Sequence, residues 1–191
     1  MRAQGVRGSI SMVPPNVAFV HYGCGSVVRP KWLNLDIYPA FLVQSELRPH
    51  YQQVSLAHVH PFPDNSFAFA YCEDLIEHLS QSDSLTFLTE VFRTLKEGGV
   101  FRLSSPGLRG VLRRHYRAAT YSAAIVGKSE AYTPWGHVHF YCEESLELVA
   151  RHIGFRNITF HGFGESQHDE FRGMDTRQNQ ADLNLFAELT K

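Results

Sequence analysis

The sequence predicts an α/β protein with buried, parallel strands. Three observations carry that expectation: short apolar runs of strand length recur along the chain, two amphipathic stretches of helical period are interleaved with them, and the first run ends directly in a glycine turn.

Val17 to Tyr22 is an apolar run ending at Gly23, the pattern of a strand covered on both faces. Trp32 to Ile37 is a second run. Gln53 to Ala57 is a weaker third, followed by Pro61, Pro63, Asp64 and Asn65, which favour turn geometry. Phe67 to Cys72, wholly apolar or aromatic, is a fourth strand. From Asp83 to Lys96 the period changes: Leu85, Leu88, Val91 and Leu95 recur at helical steps, which predicts an amphipathic helix ended by Gly98-Gly99. Val100 to Ser104 is a fifth strand, broken by Pro106-Gly107. Glu143 to Ile153 is a second amphipathic helix, with Leu146, Val149, Ala150 and Ile153 inward and Gly154 as its C-terminal cap. Phe155 to Phe160 and Leu183 to Leu189 close the sheet. Residues 1–16 read as an N-terminal extension and residues 17–191 as one domain, with irregular segments at 107–136 and 162–179.

A chain of 191 residues with 43% hydrophobic and 19% charged residues buries enough core to fold without disulfides. Eighteen Lys and Arg against nineteen Asp and Glu give a formal charge of −1, which excludes a chain-wide attraction to nucleic acid or anionic membrane. The three cysteines, Cys24, Cys72 and Cys142, are odd in number and lack paired spacing, as expected in a reducing compartment. Residues 1–16 contain no apolar run of signal-peptide length, and no later stretch reaches the roughly 18 apolar residues of a membrane span, so a cytoplasmic location is expected.

The chemistry concentrates at the end of the first strand. Gly23-Cys24-Gly25-Ser26 places two residues without Cβ where open α/β sheets bind ligands, letting a ligand approach the backbone closely. Asp36 ends the second strand, where a carboxylate can accept hydrogen bonds from the vicinal hydroxyls of a ribose. It follows Gly25 by only eleven positions, against about 20 in the dinucleotide fingerprint. Pro30 shortens any helix between them, and Val28 stands where that fingerprint has its third glycine. A nicotinamide oxidoreductase is thereby disfavoured.

The motifs Gly23-Cys24-Gly25, Trp32-Leu33-Asn34-Leu35-Asp36, Pro61-Phe62-Pro63-Asp64-Asn65-Ser66-Phe67, Leu75-Ile76-Glu77-His78-Leu79 and Glu90 to Gly99 follow one another in a characteristic order. In this the chain resembles the class I S-adenosylmethionine-dependent methyltransferases, in particular the small bacterial-type members of the type 11 group. The resemblance spans residues 17–191. It implies a Rossmann-like, seven-stranded sheet, mostly parallel with an antiparallel last strand and with helices on both faces. It also implies S-adenosylmethionine as methyl donor and S-adenosylhomocysteine as product. Gly23 and Gly25, with Cys24 between them, would face the methionine part, Asp36 the ribose, Ser55 and Leu56 the adenine, and Glu73 and Asp74 the pocket floor, with His21 and Ile37 also among the cofactor-binding residues. His21 stands where the family usually carries an acidic or amide residue, and Ser55 and Ala68 replace common aspartates. These departures raise the alternative of a protein that binds the cofactor without catalysis.

Methyl transfer requires the acceptor to be held in line with the sulfonium, and a neutral hydroxyl acceptor benefits from a general base. His78, His137 and His139 are the candidates. His137 and His139, two apart, would share a face if they lay in a strand. No third ligand accompanies them in sequence, so no metal site is expected. Residues 98–129 carry Arg102, Arg109, Arg113, Arg114, Arg117 and Lys128 without one acidic residue. Arg109 and Arg113 are therefore candidates for holding an anionic acceptor, with Tyr132 and Trp135 as pocket walls, and 107–136 as an acceptor-covering segment. The expected partner is a small molecule, anionic or a sugar, rather than nucleic acid or a membrane.

Overall fold

A computed structural model describes residues 17–116 and 120–191; the N-terminal extension at 1–16 and Arg117 of the basic stretch lie outside the described residues. β1 (Phe19–Tyr22) and β2 (Leu33–Asp36) are short, almost wholly buried strands, so neither alternates polar with apolar side chains. β3 (Tyr51–Gln53) is three residues long and lies ahead of the expected run from Gln53; its last bond to β2 runs from the Val54 N–H to the Asp36 carbonyl. β4 (Phe67–Glu73) follows the turn in which Asn65 adopts a positive φ of 56°.

The first helix, α1 (Gln81–Thr94), starts where Ser80 accepts the Asp83 N–H at 3.1 Å, and it buries Phe87, Leu88 and Val91. It stops at Thr94 rather than at Gly98. Leu95 turns extended and is already the first residue of β5 (Leu95–Pro106), pairing with Phe67, so the helix is shorter and the strand longer than their sequence patterns suggest. Beyond β5 the segment expected to be irregular forms two helices, α2 (Leu108–His115) and α3 (Tyr121–Ala131). α4 (Glu143–Ile153) occupies the expected residues, and Gly154 closes it at φ 125°, where a Cβ would meet the Phe92 ring at 2.9 Å. β6 (Asn157–Phe160) and β7 (Asn184–Thr190) complete the sheet.

The strands form one seven-stranded sheet in the order β3-β2-β1-β4-β5-β7-β6. β7 runs antiparallel to both β5 and β6, and the other pairings are parallel. The order reverses at β1 and β4, which opens a crevice at their carboxyl ends. One face is packed by α1 and α4 around Val20, Tyr22, Leu35, Phe67, Phe87 and Leu103. On the opposite face Trp32, Phe69 and Tyr71 pack against Phe171 and Met174 of the segment 162–177. That segment is fastened by Arg102, fully buried, whose guanidinium pairs with Asp175 and Glu188, while Asp175 also accepts the Gly164 N–H at 2.8 Å. No helix among the described residues is long and apolar enough to cross a membrane.

Candidate functional site

A cavity of about 920 Å³ lies at the carboxyl ends of β1, β2 and β4. That is the crevice predicted by the strand-order reversal, and its volume suits a drug-sized or nucleoside-sized ligand. His21, Gly23, Cys24, Gly25, Asp36, Ile37, Ser55, Leu56, Glu73 and Asp74 all line it.

The turn after β1 explains the two glycines separately. Gly23 has φ 65°, and a Cβ there would sit 2.9 Å from the Leu75 Cβ. Gly25 has φ 50°, and a Cβ there would meet nothing within 4 Å. The first glycine is required by close packing, while the second leaves open space beside the backbone. No helix links β1 to β2; the chain turns through a Val27 to Cys24 hydrogen bond and past Pro30, as the short spacing requires.

Asp36, 8% exposed, is tied to the loops around it. Its Oδ2 accepts the Gly25 N–H at 2.8 Å, and its Oδ1 accepts those of Ile37 at 2.7 Å and Tyr38 at 3.3 Å. The carboxylate therefore shapes the glycine turn as well as facing the cavity. Beside it, burial pushes the Cys24 thiol up to about 12, with the Asp36 charge adding to the effect, so this cysteine is a packed wall and not a nucleophile. Burial, aided by the Arg29 charge, lowers His21 to about 3, so its ring is neutral. His21 instead bonds Asn34 at 3.3 Å, and Asn34 pins the turn through the Arg29, Trp32 and His50 carbonyls.

The far wall is built across the longest chain separation in the site. The Thr176 N–H and hydroxyl donate to Glu73 at 2.8 and 2.6 Å, and Arg177 approaches Asp74 at 2.9 Å. Asp74 holds a positive φ of 51°, and burial lifts its carboxyl to about 6 against the opposing pull of Arg177. Thr176 and Arg177 also line the cavity. They are cavity residues that sequence reasoning missed; the polar character of 162–179 was the available signal. Tyr38, Leu42, Val43 and Leu47, which add an apolar wall on the β2 side, carried no signal of their own.

Of the three histidine candidates, His78 lines the cavity and His137 stands behind it, their ring centroids 4.9 Å apart. His78 belongs to a 3₁₀ turn, Ile76–His78, ahead of α1 rather than to the helix itself. Burial lowers both imidazoles, so each is neutral near pH 7. The strand that would align His137 with His139 does not form. Val138 bonds the Glu77 carbonyl, which sends the His137 ring to Glu77 and His78, while His139 Nδ1 bonds the Leu79 carbonyl at 2.9 Å and its ring packs on Tyr141. Glu77, beneath His78, is 1% exposed and burial pushes its carboxyl up to about 8, with the Asp74 charge adding.

The basic stretch is not an open field of charge. Arg109 pairs with Glu144, Arg113 donates to the Asp182 carbonyl, and Arg114 pairs with Asp182. Arg109 and Arg113 line a separate cavity of about 380 Å³ with Gly110, Glu143 and Leu183. Tyr132 packs against Phe140 in a tilted ring pair, and Trp135 is 66% exposed; neither lines the large cavity.

Residues 20–103 match the family model described as a methyltransferase domain. No curated protein matches the chain. Among solved structures, a SAM-dependent methyltransferase from Archaeoglobus fulgidus superposes with a TM-score of 0.58 at 13% identity, over 91% of this chain and 85% of that one. An S-adenosylmethionine-dependent methyltransferase from Mesorhizobium loti gives 0.55 at 16% identity, over 93% of each chain. A Haemonchus contortus phosphoethanolamine N-methyltransferase 2, solved with phosphomonomethylethanolamine and S-adenosylhomocysteine, gives 0.58 at 14% identity, over 90% of this chain and 48% of that one.

Proposed function

We propose that this chain, which has the fold of the class I S-adenosylmethionine-dependent methyltransferases and a methyltransferase-domain match over residues 20–103, transfers a methyl group from S-adenosylmethionine to a small-molecule acceptor, anionic or a sugar, in the cytoplasm. One observation carries the reading. The residues that the resemblance assigns to the cofactor line a single cavity at the point where the strand order reverses.

When bound, S-adenosylmethionine supplies an electrophilic methyl group on a sulfonium, leaving S-adenosylhomocysteine after transfer. The chain's own part is to bind and position. Gly25 leaves room for a ligand against the main chain, and Asp36 offers its remaining acceptor capacity to a ribose hydroxyl. Ile37, Ser55 and Leu56 form the base side. Glu73 and Asp74 form the floor, bordered by Thr176 and Arg177, whose bonds to these carboxylates join distant parts of the chain. His78, neutral and in the cavity wall, takes a proton from a hydroxyl acceptor, and His137 orients it from behind. Within this reading the proton-transfer role is given to these two histidines alone; His139, Arg109, Arg113, Tyr132 and Trp135 have no part in it.

The test is calorimetry with S-adenosylmethionine and S-adenosylhomocysteine, followed by a methyl-donor turnover assay across sugars, carboxylic acids, phosphate esters and amines. Saturable binding with turnover of one class supports the reading. Binding without turnover of any class supports the cofactor-binding alternative that the neutral His21 favours, and absence of binding removes both.

A further inference from the structure

Glu77 is buried beneath the cavity wall with one oxygen satisfied and one not. Its Oε2 accepts the Ser105 hydroxyl at 2.9 Å, whereas Oε1 has no hydrogen-bond partner. Two imidazole nitrogens face that oxygen: His78 Nε2 at 3.9 Å and His137 Nε2 at 4.0 Å. His137 Nδ1 meets the Ala131 carbonyl at 2.8 Å, so the proton of the neutral ring sits on Nδ1 and a lone pair on Nε2 points toward Glu77. The His78 ring also bonds the Gly136 backbone. Oε1 thus faces a His137 lone pair with no donor from a neighbouring group, so it must be satisfied either by a proton on the carboxyl, which burial favours, or by a cation. A buried carboxylate oxygen in that state is costly unless a cation joins it.

We propose that Glu77, His78 and His137 form a binding site for a divalent first-row transition metal ion. Ligand-type atoms of the three lie within 4.8 Å of one another. Metal–ligand bonds of roughly 2.0–2.2 Å to imidazole and carboxylate need these atoms to draw together by about 1 Å, which side-chain rotation supplies. Two of the residues are adjacent in a tight 3₁₀ turn, and the third is fixed against it by the Val138 to Glu77 backbone bond at 2.8 Å, so the site is preorganised by main chain on both sides. The carbonyl bond to His137 Nδ1 is the kind of outer contact that fixes the tautomer of a metal-bound histidine. Two imidazoles and one carboxylate suit zinc, cobalt, iron or manganese better than magnesium or calcium. The third ligand escapes sequence reasoning because nothing in the spacing of residues 77 and 137 brings them together.

The catalytic sense of the site rests on the methyl-transfer reading. His78 belongs both to the cluster and to the cavity wall, so an ion held there would face an arriving acceptor oxygen and favour its ionised form. With the ion bound, His78 would be a ligand and not the base: the ion would lower the pKa of the acceptor hydroxyl, whose proton would pass to solvent water.

The experiment uses the full chain without an affinity tag, stripped with a chelator, and no methyl donor, so that its outcome is independent of cofactor binding. Zn²⁺ and Co²⁺ are titrated by calorimetry and by visible absorption of the cobalt form. One saturable equivalent is expected, with affinity reduced at least about tenfold by His78→Ala and by His137→Ala and unchanged by His58→Ala, an exposed control. Should a variant lose its fold, the wild-type protein alone decides: bound Co²⁺ must shift the ring-proton resonances of two histidines. No saturable binding, undiminished binding in the folded variants, or cobalt shifts at other histidines would overturn the site while leaving methyl transfer open.

Discussion

Asp36 Oδ2 accepts the backbone N–H of Gly25 at 2.8 Å, joining residues eleven apart in the chain. The carboxylate that the sequence marks for a ribose is therefore also the anchor of the glycine turn, with Ile37 and Tyr38 donating to its other oxygen. Asp36→Ala is expected to lower stability by about 1–3 kcal/mol and to weaken S-adenosylhomocysteine binding at least about tenfold. Chemical denaturation and calorimetry on the same variant read the two effects. An unchanged dissociation constant would show that the ribose lies elsewhere.

The two glycines of the turn should respond differently to a methyl group. Gly23→Ala places a Cβ against Leu75 at φ 65° and should destabilise the protein by more than the roughly 1–2 kcal/mol of a left-handed non-glycine residue. Gly25→Ala, with open space around its Cβ, should cost only the conformational part while reducing cofactor affinity. Thermal unfolding of Gly23→Ala in wild-type and Leu75→Ala backgrounds checks the steric share: the second background removes the Leu75 Cδ atoms at 3.0 and 3.1 Å but keeps its Cβ, so the penalty should shrink in part.

Closure of the cavity depends on a buried ion triad on the opposite face of the sheet. Arg102→Met leaves Asp175 and Glu188 buried without their cation, and a loss of about 3–5 kcal/mol is expected in denaturant unfolding. Thr176→Val removes only the hydroxyl bond to Glu73. It should leave the melting temperature nearly unchanged while speeding release of S-adenosylhomocysteine in stopped-flow measurements.

Buried neutral histidines give stability an acid limb. His21 falls to about 3 and His60 to about 4 in the folded protein, both chiefly through burial, against 6.5 when exposed. Unfolded chains bind protons that the folded chain refuses, so this stabilisation is complete above pH 6.5 and is lost as pH falls toward 3–4. At pH 5 each group should have cost about 2 kcal/mol. Unfolding midpoints measured from pH 7.5 to 5 should fall, and His21→Asn should flatten the fall.

Much of this was legible in the sequence because local rules and the global fold agree. The apolar runs at β1, β2 and β4, the helix at Glu143–Ile153 and the short glycine-to-aspartate link all reflect burial or main-chain geometry that a few neighbouring residues determine. What was not legible depends on distant chain segments. The end of α1 at Thr94 is set by Leu95 pairing with Phe67, not by Gly98-Gly99. Leu108–His115 and Tyr121–Ala131 fold as helices, with Val111 and Ala131 buried against Leu183. Arg109 and Arg113 find Glu144 and Asp182 as partners from outside their own segment, and Thr176 meets Glu73 across 103 residues. None of these pairings has a periodic signature.

Isothermal titration of the wild-type protein with S-adenosylhomocysteine tests the account most directly. One saturable site per chain, weakened in Asp36→Ala and displaced by S-adenosylmethionine, is the predicted result. Absence of saturable heat with either ligand, from a protein shown to be folded, would contradict it.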